Sequence, residues 1–173
     1  MGPTAANETR VYGIVSRLSI PGPARERPEA AAMLEDFHKI VRLRVPFSDI
    51  DMMRHANNTA YLRWAEVARS EYLIEIMGAD IGGRAGMILA RLVVTYESPI
   101  SYRENIAVGC RITRLGTKSF DFLCEVWSVD REVRCAAITQ TMVAMDYKAN
   151  ATIPIPPEWR ERVAEFEIVP VTA

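Results

Sequence analysis

Residues 47–69 read FSDIDMMRHANNTAYLRWAEVAR, a polar loop that leads directly into a helical pattern. From Thr59 to Met77, apolar residues recur at the three- and four-residue spacing of an α-helix, and Gly78 is a typical helix terminator. The apolar stripe comprises Tyr61, Ala65, Ala68, Tyr72 and Ile76, whereas Leu62, Trp64 and Leu73 lie off it. The helix is therefore apolar around much of its circumference. The sequence predicts one long helix that other elements largely enclose.

Strand patterns flank this helix on both sides. Val41–Phe47 alternates apolar and polar residues, and Pro46 places that strand at a sheet edge or near its own end. After the helix, four more β-forming runs occupy Met87–Tyr96, Asn105–Leu115, Ser119–Trp127 and Val133–Tyr147, and their short links favour hairpins of an antiparallel meander. A short terminal helix is expected at Glu158–Phe166. This order predicts an α+β fold in which a curved antiparallel sheet wraps one long helix.

The length of the chain, 173 residues, suits one domain. Residues 1–33 are rich in glycine and proline and are interpreted as an N-terminal tail or arm, with the alternative that the apolar piece Val11–Ile20 docks on the domain. Residues 34–173 are expected to form the domain. A net charge of −1 argues against broad nucleic-acid binding. We find no leader pattern and no apolar stretch long enough to cross a bilayer, so a cytoplasmic protein is the expectation.

The cysteines and histidines do not form recognisable metal or redox motifs. Cys110, Cys124 and Cys135 are widely spaced among β-forming residues, which indicates buried thiols in a reducing compartment. His38 and His55 lack the spacing of metal ligands. We find neither the GxSxG motif of serine hydrolases nor a glycine-rich phosphate loop. We therefore expect neither a metal nor a cofactor.

The loop before the long helix concentrates the polar residues that are suited to catalysis. It carries Asp49, Asp51 and His55, and Asn57 or Asn58 is a natural helix N-cap. A carboxylate beside a helix N-terminus suits acyl transfer, because free N–H groups stabilise the carbonyl oxygen while the carboxylate attacks or activates water. The alternative from the residues alone is that both aspartates cap turns and that His55 only orders the loop.

This segment resembles the 4-hydroxybenzoyl-CoA thioesterase-like branch of the hotdog superfamily, whose pattern is D-x-D-x-x-G-H-x-N-N-x-x-Y-x-x-W/F-x-E-x-A-R. The resemblance extends from about Val41 to Phe166. The matching positions are Asp49, Asp51, His55, Asn57, Asn58, Tyr61, Trp64, Glu66, Ala68 and Arg69.

The resemblance implies a hotdog-fold hydrolase of acyl-CoA thioesters. By that resemblance Asp51 is the catalytic carboxylate, acting as nucleophile or general base, and the backbone N–H groups of Asn58 and Thr59 hold the carbonyl oxygen. His55 has either a catalytic role or one in ordering the loop. The family forms dimers with sites at the subunit boundary, which implies a homodimer or homotetramer. The alternative is a non-catalytic acyl-CoA or lipid-binding hotdog module; a hotdog dehydratase or hydratase is disfavoured because its motif differs.

Further residues bear on the substrate. Tyr61 and Trp64 indicate an apolar acyl pocket. Arg111, Arg114 and Lys118 surround one predicted hairpin, where they either bind coenzyme A phosphates or are merely solvated. Acyl-carrier-protein thioesterases have asparagine where this chain has Met53, so coenzyme A is the expected carrier. Arg54 stands where the family has glycine, which predicts local strain if the position requires a positive φ.

Overall fold

The computed structural model describes residues 33–77 and 85–173. Its elements, in chain order, are β1 (Lys39–Arg44), a 3-10 turn (Phe47–Asp49), α1 (Asn58–Met77), β2 (Ala85–Tyr96), β3 (Asn105–Leu115), β4 (Ser119–Ser128), β5 (Val133–Asp146), β6 (Ala151–Thr152) and α2 (Pro157–Phe166). The expected helices and strands are present with small shifts at their ends, whereas β6 and the 3-10 turn were not expected. Phe47, predicted as the end of the first strand, lies in that turn. The predicted tail lies outside the described residues apart from Met33, as does the predicted helix stop at Gly78.

The strands form one antiparallel sheet in the order β1-β3-β4-β5-β2, with β6 pairing with β5. β1 is an edge strand, as Pro46 predicts. The prediction that the last four strands form a meander is wrong for β2, which pairs with β5 and not with β3. Alternation of apolar residues indicates strands but not their partners. Residues 97–104 are too long a link for a tight hairpin, and they carry the chain from one side of the sheet to the other.

The core lies between α1 and the concave face of the sheet. Ala60, Ala65, Ala68 and Tyr72 are essentially fully buried on the helix, and the Tyr72 ring packs edge-on against Phe122 of β4. The predicted α+β arrangement is therefore confirmed. The helix is less enclosed than predicted: Val67 and Ile74 are 49% and 52% exposed, because the sheet covers only one side of it.

A smaller apolar cluster closes part of the outer face of the sheet. Leu34 and Phe37, which precede β1, pack over Ala107 and Gly109 of β3. A Cβ atom added at Gly109 would lie 2.6 Å from Cγ of Phe37, so glycine is required there by close approach. The segment just before β1 is thus part of the packed domain.

The three cysteines are buried free thiols, as predicted. Cys110 and Cys124 face each other on β3 and β4 with their sulfur atoms 3.2 Å apart, and burial raises the pKa of the Cys110 thiol. Among residues 33–77 and 85–173, no helix is long and apolar enough to span a bilayer.

Candidate active site

The loop between the 3-10 turn and α1 folds into a tight turn around Asp51. The Asp51 N–H donates to the His55 carbonyl at 3.0 Å, and the Arg54 N–H donates to the Asp51 carbonyl at 3.0 Å. Arg54 has a φ of 66°, in the left-handed region. Arginine therefore occupies a glycine-like conformation, at a cost of about 1–2 kcal/mol. This is the strain that the departure from the family pattern predicts.

Asn57 caps α1 and leaves the amide of Asn58 available. Asn57 Oδ1 accepts the Thr59 N–H at 2.9 Å and the Thr59 hydroxyl at 2.8 Å. The Asn57 N–H in turn donates to the Asp49 carbonyl at 2.8 Å, which fixes the cap to the 3-10 turn. Within the described part of the chain, the Asn58 N–H has no protein acceptor. Of the first two amides of the helix, only that of Asn58 is therefore free to bind an oxyanion.

The two aspartates of the loop have different surroundings. Asp49 is buried, and its carboxylate accepts hydrogen bonds from Arg63 at 2.6 Å and from the Trp64 indole at 2.9 Å. Both of its oxygens are therefore used to hold α1. Asp51 is half-buried, and its Oδ1 accepts the Met53 N–H at 2.8 Å. Asp51 lines a cavity whose lining does not include Asp49.

That cavity has a volume of about 300 Å³ and brings four of the predicted site residues together. They are Asp51, His55, Asn58 and Tyr61. The opposite wall consists of Tyr96 and residues 97–99, at the end of β2. Sequence reasoning missed this wall, because nothing in the strand pattern indicated that the end of β2 lies against the start of α1.

Two tyrosines line the apolar part of the cavity. Tyr96 donates its hydroxyl to the Asn58 carbonyl at 3.0 Å, and its ring packs edge-on against Tyr61 with centroids 5.2 Å apart. Burial raises the pKa of Tyr61 to about 12 and also raises that of Tyr96. Both phenols are therefore neutral near pH 7. Their hydroxyl protons are directed at the Asn58 and Ser98 carbonyls, so the two residues offer aromatic surface to a ligand, not charge.

Arg131 holds in place the residues after β2 that form one wall of the cavity. Arg131 donates to Glu104 at 2.7 Å, to the Ser98 hydroxyl at 2.8 Å and to the Pro99 carbonyl at 2.7 Å. Burial by itself would raise the pKa of Glu104, but hydrogen bonds from Ser128, from the Ser101 N–H and from Arg131 outweigh it and lower that pKa. The ion pair fixes the loop that closes the cavity.

The remaining predicted site residues lie elsewhere. Trp64 is 5% exposed and donates its indole N–H to Asp49, so the structure places it in the core beside the cavity wall. The Thr59 N–H is occupied by the Asn57 side chain. In the described residues, no group of three or more His, Cys, Asp or Glu side chains is placed to hold a metal ion.

None of the three basic residues of the β3–β4 hairpin lines the cavity within one protomer. Arg111 is buried, Arg114 forms an ion pair with Asp121 at 2.7 Å, and Lys118 donates to Thr152. The Lys118 carbonyl binds Ala144 of β5, whereas Tyr96 pairs with Ala136. These two points on β5 are eight residues apart, roughly 26 Å at about 3.3 Å per residue, so Lys118 lies far from the cavity within one protomer.

Comparisons with known proteins identify the family and the fold. The family model described as the thioesterase-like superfamily matches residues 45–163. A thioesterase from Thermus thermophilus, solved in complex with coenzyme A and zinc, is 29% identical, with a TM-score of 0.72 over 79% of this chain and 99% of that one. A protein from Pseudomonas aeruginosa is 26% identical, with a TM-score of 0.69 over 78% and 94% of the two chains.

A more distant structure has the same fold. The 1,4-dihydroxy-2-naphthoyl-CoA thioesterase of Synechocystis is 15% identical, with a TM-score of 0.66 over 73% of this chain and 95% of that one. No curated protein sequence matches the chain. Together with the sheet order, these likenesses confirm the hotdog fold.

Proposed function

This chain belongs to the thioesterase-like superfamily and is a thioester hydrolase, and from that membership we propose that it cleaves acyl-coenzyme A to a carboxylic acid and free coenzyme A. The single observation that carries the proposal is the meeting of a half-buried carboxylate, Asp51, with an unpartnered helix N-terminal amide, Asn58, in one cavity.

In the proposed reaction the thioester carbonyl lies between Asp51 and the Asn58 N–H. Asp51 either attacks the carbonyl carbon, forming a mixed anhydride that water then hydrolyses, or takes a proton from a water molecule that attacks in its place. In both routes the carbonyl oxygen becomes negative and accepts a hydrogen bond from the Asn58 N–H, and the carbon–sulfur bond then breaks to release the thiolate. The positive end of the α1 dipole adds to this stabilisation.

The first-turn hydrogen bonds favour Asn58 over Thr59 as the oxyanion donor. The Thr59 N–H is already directed at Asn57 Oδ1, and the bond from Tyr96 holds the Asn58 carbonyl from the opposite wall. Preorganised donors are effective because they need not reorient during the reaction. His55 lines the cavity and closes the Asp51 turn through its carbonyl, which supports a role in ordering the loop.

We propose that the enzyme works as a homodimer or a larger assembly of dimers. β2 is the free edge of the sheet over twelve residues, and it carries exposed Ile88, Leu89, Leu92 and Val93. A long apolar edge strand is a template for pairing with another strand. Because Tyr96 ends that strand and lines the cavity, a second copy paired along β2 would lie beside the site. Mass measurement in solution by light scattering tests this assembly.

The function is tested by measuring free thiol release from short, medium, long and aromatic acyl-CoAs. We expect turnover of at least one class, with loss of turnover in Asp51→Asn. An acyl-CoA that binds with no thiol release from any member of the panel would instead indicate a non-catalytic binding module.

A further inference from the structure

Two exposed aromatic rings and three arginines form a cluster outside the cavity, which we call the arginine–aromatic cluster: Arg44, Phe47, Arg54, Tyr102 and Arg103. Phe47 and Tyr102 are 74% and 46% exposed, and their rings meet edge-on with centroids 5.8 Å apart. The Arg103 guanidinium lies 5.1 Å from the Tyr102 ring centroid, and Arg44 Nε donates to the Arg103 carbonyl at 3.0 Å. Charged and aromatic groups are therefore presented together to solvent.

The cluster adjoins the cavity through a β-bridge. His55, which lines the cavity, pairs with Ser101 in antiparallel orientation. Arg54 and Tyr102 each adjoin one of the two bridged residues in sequence, so the bridge brings these two parts of the chain together. A ligand whose reacting end lies in the cavity can thus extend over the bridge onto the cluster.

The three arginines of the cluster have no carboxylate partner among the described residues, whereas five other arginines do. Arg63, Arg69, Arg114, Arg131 and Arg134 form ion pairs with Asp49, Glu66, Asp121, Glu104 and Glu97, respectively. Near Arg44 on the sheet edge, Asp130 is held by Asn105. The cluster is therefore a local excess of positive charge on a chain whose net charge is −1.

Two of these arginines keep their side chains in a backbone conformation that favours glycine. Arg54 has a φ of 66° and Arg103 a φ of 65°. Non-glycine residues in this region are strained, and such strain is concentrated at functional sites. Glycine would relieve the strain at either position but would remove the guanidinium.

We propose that the arginine–aromatic cluster binds the phosphorylated nucleotide end of the coenzyme A carrier, an inference that rests on the proposed acyl-CoA substrate. The exposed rings provide a stacking surface for a purine base. The guanidinium groups of Arg44, Arg54 and Arg103 bind the phosphates, for which arginine has the matching planar donor geometry. This site is distinct from the predicted one at the β3–β4 hairpin.

The test compares Arg103→Gly and Arg54→Gly with wild type, and Lys148→Gln serves as a control that removes an exposed charge from the turn after β5. Binding of free coenzyme A is measured by titration calorimetry, and turnover is measured in parallel with an acyl-CoA and the matching acyl-pantetheine thioester, which lacks the nucleotide. We expect each glycine variant to bind coenzyme A about 10-fold more weakly, the share of one charge-assisted hydrogen bond. Both should keep or raise the Tm and differ less from wild type at high salt, and Arg103→Gly, which lies outside the Asp51 turn, should turn over acyl-pantetheine as wild type does.

Four results would overturn the assignment: no binding of coenzyme A by wild type, unchanged affinity in both glycine variants, an equal loss of acyl-pantetheine turnover in Arg103→Gly, or an equal loss of affinity in Lys148→Gln. If the glycine variants hydrolysed an acylated carrier protein more slowly than wild type but bound coenzyme A equally well, the assignment would also be overturned. That result would indicate an acidic protein partner. A wild type that binds coenzyme A at the cluster but releases no thiol would refute the proposed hydrolysis and leave the nucleotide site standing.

Discussion

Replacing Asn58 by proline tests the oxyanion donor with little other disturbance. Asn58 is the first residue of α1, where proline's fixed φ is favourable, and its N–H has no acceptor in the described structure. The substitution therefore deletes one N–H and no backbone hydrogen bond. The helix cap, Asn57 Oδ1 with the Thr59 N–H, is unchanged. We expect the variant to fold with a melting temperature close to that of wild type.

The kinetic effect should be large. Loss of one oxyanion donor typically lowers kcat by about 10²–10³-fold, or roughly 2.7–4 kcal/mol at about 1.36 kcal/mol per decade. Asn58→Ala keeps the N–H and removes only an exposed side chain that is not the cap, so both kcat and stability should change little. Thr59→Pro removes the capped N–H and should cost about 0.5–2 kcal/mol of stability with a smaller loss of kcat.

The assay is steady-state thiol release at saturating acyl-CoA, with circular dichroism melting to establish that each variant is folded. A folded Asn58→Pro variant with wild-type kcat would refute the reasoning, because the oxyanion would then bind elsewhere. Equal losses in the proline and alanine variants would also refute it, since the Asn58 side chain would then be responsible.

Four further predictions follow from the same contacts. Asp51→Asn should keep the fold and the oligomer but lose at least ~100-fold in kcat, as for removal of a general base; near-normal turnover would exclude Asp51. Asp49→Asn weakens the hydrogen bonds from Arg63 and Trp64 to a buried carboxylate, so it should lower the free energy of unfolding by about 1.5–3 kcal/mol in a urea titration. It should reduce kcat less than Asp51→Asn does, and the reverse kinetic ranking would assign catalysis to Asp49. Because the pKa of Glu104 is lowered in the folded state, its ionised carboxylate stabilises the fold at neutral pH, and this stability is lost as the pH falls through the folded pKa. The Tm difference between wild type and Glu104→Gln should therefore shrink below the ordinary pKa of 4.5. A difference that does not depend on pH would contradict this. Deletion of residues 1–33 leaves the packed segment before β1 intact and should give a folded, active oligomer by light scattering and turnover, whereas aggregation would show that the deleted part covers the domain.

Local sequence patterns were sufficient to predict the helices, the strands and the part of the site that the loop before α1 forms. The helical spacing from Thr59 onward and the alternation in the strands depend only on which side chains lie three, four or two residues apart, so the sequence carries them directly. The loop from Asp49 to Asn58 is likewise a local feature, and its carboxylates and helix cap were predictable together. The special backbone of Arg54 was expected because its position corresponds to a glycine of the family pattern.

The tertiary structure alone decided which groups meet. Tyr96 and the residues after it are some forty positions from Asn58, and β2 reaches them only because it pairs with β5 across the sheet. The same packing separated Asp49, buried against Arg63 and Trp64, from Asp51, which lines the cavity. By residue type and position in the loop alone the two carboxylates were equivalent, and only the resemblance to the family pattern favoured Asp51. The fold makes them physically different, because it buries Asp49 beside donors and leaves Asp51 open to a ligand, and burial and hydrogen bonding are properties of three-dimensional neighbours.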